Sequence, residues 1–318
     1  MSFFTKVPID ISPKPISYAS EIITLGSCFA ENMGQKLDYF QFKNLTNPFG
    51  IIFNSISLEK IIRRAVDKDF YADKDVFFFD YKWHCFEVHS RLSDVEKAVF
   101  IKNLNDTLVV FRAKLVSATH VIITLGTSWV YQAGCNQEVV ANCHKLPQKQ
   151  FRKILLSAEE NAKSLEKIVN LVTAVNPNCK IIFTISPVRH LKDGFFENQV
   201  SKSHLFVALH QLISKKDAPQ NLSYFPAYEL LMDELRDYRF YAEDLLHPNA
   251  TAIDYIWKKF VETQIDPTVK PTMDAVEHIR KSLNHKPTHS ESPSHQKFVT
   301  TLQNRIDSIQ KTHPFMQF

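Results

Sequence analysis

Glycine is scarce: there are six in 318 residues, and none is spaced as GxGxxG or GxxxxGK. Phosphate-cradling turns need those glycines, so the sequence argues against a nucleotide enzyme. Long apolar runs are also missing. The longest lie around Val121–Leu125 and Ile181–Ile185, far short of the roughly 20 residues that span a bilayer. The opening stretch MSFFTKVPIDISPKPIS has early prolines and no continuous apolar core, so it does not read as a signal peptide. Five cysteines (Cys28, Cys85, Cys135, Cys143, Cys179) are an odd number without a CxxC pair. That fits free thiols in a reducing compartment and argues against a disulfide framework or a zinc site. Nor is there a run of one charge: 38 basic and 34 acidic side chains are mixed, for a formal net charge of +4. Nothing here calls for a nucleic acid or a membrane as partner. The expectation is a cytoplasmic protein that uses no cofactor.

What is present is an ordinary globular composition, 44% hydrophobic and 23% charged, in a chain long enough to bury a large core. Short apolar runs alternate with amphipathic helical stretches. Glu21–Leu25, His120–Leu125 and Lys180–Ile185 read as buried strands, with weaker strands at Gln41–Leu45 and Leu222–Phe225. Helices are expected at Ala30–Phe40 and Ala250–Thr263. Two further helix starts are marked by the capping-box strings Ser93-x-x-Glu96 and Ser157-x-x-Glu160. After the second, Ala162, Leu165, Ile168, Val169 and Val172 share one face, which would cover a sheet. The alternation predicts a βαβ architecture with a mainly parallel sheet. Residues 53–117 form a long insertion between strands, placed to act as a cap or wall. Beyond residue 265 the chain reads as an appendage, two helices (Met273–Leu283 and Ser294–Gln310) around a linker at Thr288–Ser294, partly ordered at best.

Ligands of open parallel sheets bind beyond the carboxyl ends of the strands. Gly26-Ser27-Cys28 stands at such an end, just before a helix. The Ser27 hydroxyl there is either a nucleophile near the positive helix terminus or a helix cap, the position serine favours. Near the other end of the α/β unit, Asp244-Leu245-Leu246-His247 lets a carboxylate reach back to one imidazole nitrogen and leaves the other free to take a proton. Cys28 is a second candidate nucleophile for the same histidine. Arg189, after the fourth strand, could clamp a substrate carboxylate or phosphate, or pair with an acid in Glu234–Asp237. His84, His89, His144 and His190 lack the spacing that sets two metal ligands on one helix face. No metal site is assigned to them.

The string Gly26-Ser27-Cys28-Phe29-Ala30 spells the motif of the GSCFA family. Further matches are Asn47-Pro48-Phe49-Gly50-Ile51, Gly126-Thr127-Ser128-Trp129-Val130-Tyr131, Val140-Ala141-Asn142-Cys143-His144-Lys145, Ser186-Pro187-Val188-Arg189-His190 and Tyr238-Arg239-Phe240-Tyr241-Ala242. The chain resembles that family, a branch of the SGNH/GDSL hydrolases, over about residues 1–265. The resemblance implies a three-layer α/β/α fold with a flavodoxin-like sheet and a helical C-terminal appendage at 266–318. It implies Ser27 as nucleophile and Asp244 and His247 as its partners. The oxyanion would be held by the N–H groups of Ser27 and Gly50. The superfamily's third block carries Gly-x-Asn, where this sequence has Gly126-Thr127-Ser128, so the asparagine donor is missing there and Ser128, Thr127 or Asn142 is the candidate to replace it. Losing one such donor costs about 3 kcal/mol of transition-state stabilisation.

The expected activity is a serine esterase or deacylase working through an acyl-enzyme on a small-molecule or carbohydrate ester. Transfer of the acyl group to an acceptor hydroxyl would use the same residues. A catalytically impaired binding module is the alternative of another class. Neither the acyl group nor the oligomeric state is legible in the sequence.

Overall fold

The computed structural model describes residues 5–134, 137–215, 219–285 and 292–318. The chain runs from β1 (Glu21–Gly26) into α1 (Cys28–Tyr39) and returns as β2 (Lys43–Thr46). Then come α2 (Ser55–Asp67), the hairpin β3 (Phe77–Phe79) and β4 (Lys82–His84), α3 (Lys97–Ser117) and β5 (His120–Leu125). A small antiparallel sheet follows, of β6 (Trp129–Ala133), β7 (Glu138–Val140) and β8 (Phe151–Leu155). Next are α4 (Ala158–Val175), β9 (Lys180–Ile185), α5 (Phe195–Ile213) and β10 (Leu222–Tyr224). The short α6 (Ala227–Glu229) continues into a π-helical turn. The helices α7 (Ala250–Gln264), α8 (Lys270–Leu283) and α9 (Pro293–Thr312) end the chain.

The main sheet is parallel throughout, in the order β2-β1-β5-β9-β10. This is the flavodoxin-like order, whose switch point lies between β1 and β5, where the chain changes its direction of winding and a crevice opens. The pleat divides the strand residues between two cores. Ile23, Leu25, Val121, Ile123, Leu125, Ile181, Phe183 and Ile185 face α2, α3, α4 and α5. Ile22, Ile122 and Ile182 face α1, α7, α8 and α9. Ile23 pairs with Val121, and Val121 with Ile181, so like faces align across the sheet. The result is a three-layer α/β/α sandwich.

Local signals set the helix starts unevenly. At α4 the Ser157 hydroxyl accepts from Glu160 N–H (3.1 Å) and the Glu160 carboxylate from Ser157 N–H (2.7 Å), closing the expected box. The box expected at Ser93 does not form. The Trp83–Asp94 bridge holds that segment against the hairpin, the Ser93 hydroxyl meets His84 Nδ1 (2.7 Å), and α3 starts at Lys97. The small sheet β6–β8 had no sequence signal. Its strands are short and half-buried, and carry Gln132, Arg152 and Lys153 among their apolar residues.

In the 53–117 segment, α2 and α3 belong to one covering layer, and its loop at His89–Arg91 reaches the first turns of α1. There Arg91 donates to Glu31 (2.7 Å) and to Asn47 O (2.7 Å). Of the linker expected at Thr288–Ser294, the part up to residue 291 lies outside the described residues. The two helices flanking it pack on the second core through Met273, Val276, Ile279, Leu302, Ile306 and Ile309. Among the described residues no helix is long and apolar enough to cross a membrane. Ile279 is 1% exposed in that core, so Ile279→Ala is expected to cost about 2–5 kcal/mol in urea unfolding. A cost near zero would show that α8 contributes nothing to the stability of the fold.

Candidate active site

The site begins at the switch point. Gly26 has φ +128°, and a Cβ there would lie 2.1 Å from the Thr124 carbonyl oxygen. Only glycine permits so close an approach at such a φ. Its N–H donates to the Asn47 side chain (2.8 Å), and the ladder runs one residue past the strand, with Ser27 N–H on Thr124 O (3.1 Å). Ser27 then adopts φ −71° and ψ 177°, and its hydroxyl accepts from Phe29 N–H (3.3 Å) as the cap of α1. Ser27 is 2% exposed, whereas Cys28, the first residue of the helix, is half-buried.

The acid–base pair forms as its spacing predicts. His247 Nδ1 lies 2.5 Å from Asp244 Oδ2, and Asp244 Oδ1 accepts from the N–H groups of Leu246 (2.9 Å) and His247 (3.0 Å). Those two backbone donors, His247 first, and then the imidazole hold the carboxyl down at about 2. Asp244 is therefore an anion at any working pH and fixes the imidazole so that Nε2 is free. The helices show where His247 lies. Lys36, about two turns into α1, pairs with Asp254, about one turn into α7. Phe40, just past the end of α1, stacks on Trp257, further along α7 (5.6 Å). The two helices thus run side by side in the same direction, offset by about one turn. His247, just ahead of α7, comes level with the first turn of α1. No hydrogen bond joins it to Ser27.

Two further groups at this edge escaped the sequence reading. His190 is fixed by its backbone N–H on Asn198 Oδ1 (2.8 Å), and its ring lies 6.0 Å from the Phe53 ring. Its Nε2 is buried with no hydrogen-bond partner among the described residues, 3.5 Å from where a Cβ on Gly126 would stand. Burial first, then the charges of Lys202 and His247 against that of Asp193, push its imidazole down to about 4. Lys202 of α5 is 0% exposed; its ammonium donates to Ser186 O (2.7 Å), lies 5.7 Å from the Tyr228 ring, and has no carboxylate partner. Complete burial pulls it down to about 7, with Cys28 opposing. His190 sat in a recognised motif but drew attention only as one histidine among four. Lys202, on an apolar helix, carried no signal.

Several expected contributors are elsewhere or already engaged. The Ser27 and Gly50 N–H groups, expected as oxyanion donors, are spent on Thr124 O and Asn47 O (2.8 Å). Gly50 has φ +81°, and His89 occupies the place of its missing side chain. Ser128 is engaged: its N–H and hydroxyl bond Ser201 (2.7 and 2.8 Å), and the hydroxyl accepts from Asn161 (3.1 Å). The Thr127 hydroxyl also meets Ser201 (2.7 Å). Asn142 caps its own loop by accepting from His144 N–H (2.8 Å). Arg189 makes no ion pair with Glu234–Asp237, and its guanidinium approaches Met232 Sδ (3.4 Å). His84 and His144 face each other (3.1 Å) and are satisfied by Phe79 O, Ser93 and Cys85 O.

The family model described as GSCFA family matches residues 21–260. The chain belongs to the GSCFA family. A second model, the GSCFA domain protein C-terminal domain, matches residues 276–318, most of α8 and all of α9. Comparison of this GSCFA chain with curated proteins finds no match. Two solved structures are similar at low scores. A carbohydrate esterase family 3 from Talaromyces cellulolyticus is 12% identical, over 52% of this chain and 66% of that chain, with a TM-score of 0.27. This chain thus spans just under two thirds of that esterase. An acetyl esterase mutant with acetate ion is 9% identical, over 80% of this chain and 99% of that chain, with a TM-score of 0.34.

The buried amine of this GSCFA protein makes its stability depend on pH. Lys202 holds its proton to about 7 in the fold and to about 10.4 in the unfolded chain. Between those values the unfolded chain binds the extra proton, so stability falls as pH drops from about 10.4 to about 7. Lys202→Met should remove that slope from the melting temperature and raise it at pH 7. An unchanged slope would mean that the amine is charged and compensated in the fold.

Proposed function

We propose that this chain is an acyl hydrolase that cleaves esters through a covalent intermediate on the β1–α1 turn, with His247 as general base and Asp244 as its orienting carboxylate. The observation that carries this reading is the dyad itself: an imidazole held at Nδ1 by a carboxylate that is itself held by two N–H groups, with no hydrogen bond on Nε2 among the described residues. Two adjacent side chains of that turn, Ser27 and Cys28, are candidates for the attacking atom. His247 takes the nucleophile's proton as it adds to the acyl carbonyl and gives it to the departing alkoxide. It then deprotonates the water that releases the acid. His190 Nε2 supports a role in holding the oxyanion, because it is unpaired and aimed over Gly126. Kept neutral by burial, with the proton on Nε2, it would donate a hydrogen bond without itself being an imidazolium, as neutral imidazoles do in other enzymes. An O-acetylated carbohydrate is the substrate class that the family resemblance suggests.

Asp244→Asn is expected to lower kcat on p-nitrophenyl acetate by about 10²–10⁴-fold, and His247→Ala by at least as much. Both side chains are half-exposed, so the unfolding midpoint should barely move. Full activity in both variants would remove the basis of the hydrolase reading. Product analysis with and without added sugar shows whether water or a hydroxyl receives the acyl group.

A further inference from the structure

We propose that Arg91 is the positioning residue of the β1–α1 turn: it holds the asparagine from which Gly26 is hung, and it neutralises the Glu31 carboxylate, which otherwise opposes negative charge at the turn. The inference rests on the acyl-hydrolase reading and names the residue that prepares its turn for the reaction.

The mechanical half starts at Asn47. This residue is 1% exposed and has φ +41°, in the left-handed region that asparagine tolerates better than most residues. Its N–H donates to Thr24 O (2.9 Å) and its side-chain oxygen accepts the Gly26 N–H (2.8 Å), so it spans the last residues of β1. Its carbonyl accepts from Gly50 N–H (2.8 Å) and from Arg91 Nη2 (2.7 Å). Arg91 comes from a loop that fits because residue 50 is glycine, since a Cβ there would stand 2.2 Å from His89 Cβ. One guanidinium thus ties the 53–117 segment to the strand end that precedes the attacking atom.

The electrostatic half lies on the other nitrogen. Arg91 Nη1 bonds Glu31 Oε1 (2.7 Å), and Glu31 is the acidic residue of the first turn of α1. Among the described residues Arg91 is the one cation paired with that carboxylate. An acid there suits the positive end of the helix, but it takes up the same field that an oxyanion at the turn would use. The Cys28 thiol registers its reach: burial above all pushes that thiol up, and the Glu31 charge adds to it.

When the nucleophile adds to the acyl carbonyl, a second negative charge forms about one helical turn from Glu31. Left unbalanced, a charge that close is worth about tenfold in rate at the effective dielectric of a protein surface. Arg91 cancels it in advance. Both side chains are partly exposed, so the pair adds little to stability. Its effect falls on the transition state.

The test is a double-mutant cycle of the native chain, Arg91→Ala, Glu31→Gln and the two combined, with kcat and KM measured on uncharged p-nitrophenyl acetate. Arg91→Ala should lower kcat about tenfold and leave KM within about twofold, because Arg91 touches the turn and not the ester. Adding Glu31→Gln to Arg91→Ala should recover most of that loss, although it restores no bond to Asn47. Sodium chloride at about 1 M should narrow the Arg91→Ala deficit, since salt screens an exposed carboxylate. A merely structural Arg91 would move neither readout. Native kcat in Arg91→Ala would overturn the inference, and so would a loss that neither Glu31→Gln nor salt diminishes; both leave the hydrolase reading standing. Absence of turnover in the native chain would overturn that reading, and this inference with it.

Discussion

No side chain fits at residue 26, and the rest of the site follows from that exclusion. The Thr124 carbonyl fills the space where a Cβ would project. The first strand can therefore stay paired with the central strand for one residue beyond its end and then turn at once into a helix. The same geometry ties down the Ser27 backbone and turns its hydroxyl into a cap, with Cys28 following as the first residue of α1. Asn47 completes the turn by accepting the Gly26 N–H, and Arg91 reaches back to the Asn47 carbonyl. A loop far along the chain is thus joined to the turn that it borders.

Around this fixed point stand two bases that burial holds away from their ordinary charge. Lys202 is wholly buried without a carboxylate and gives up its proton near neutrality. His190 is kept neutral beside it, and among the described residues the one carboxylate bonded to this group of bases is Asp244, on His247 Nδ1. Buried polar groups left without partners are costly in a resting protein. They are productive where a reaction develops negative charge, because a preorganised donor needs no reorganisation when that charge appears. The unpaired His190 nitrogen and the sparsely bonded Lys202 ammonium stand at one edge of one sheet.

Much of the frame was legible beforehand. The central strands β5 and β9 fall where their continuous apolar runs begin and end, because strands covered on both faces tolerate little else. The capping box at Ser157 was readable because its two hydrogen bonds close within one turn. The bonding of the expected oxyanion donors could not be read, for the opposite reason. Whether Ser27 N–H is free depends on the register of β1 against β5, and whether Ser128 faces the site depends on how Ser201 of α5 packs against it. The small antiparallel sheet was missed because half-buried strands with charged residues lack a clean period.

By itself the sequence determined the parts that act over a few residues: a glycine where a strand must turn, a cap at the next position, and a carboxylate three residues ahead of the histidine that it holds. Such contacts survive in almost any surroundings, since neighbouring residues are always within reach. Only the tertiary structure decided which of two adjacent side chains faces outward, and that a lysine from α5 and a histidine beyond β9 share their edge of the sheet. Burial, strand register and the field of a distant charge are properties of segments brought together from far along the chain, and their values exist only once the layers have packed.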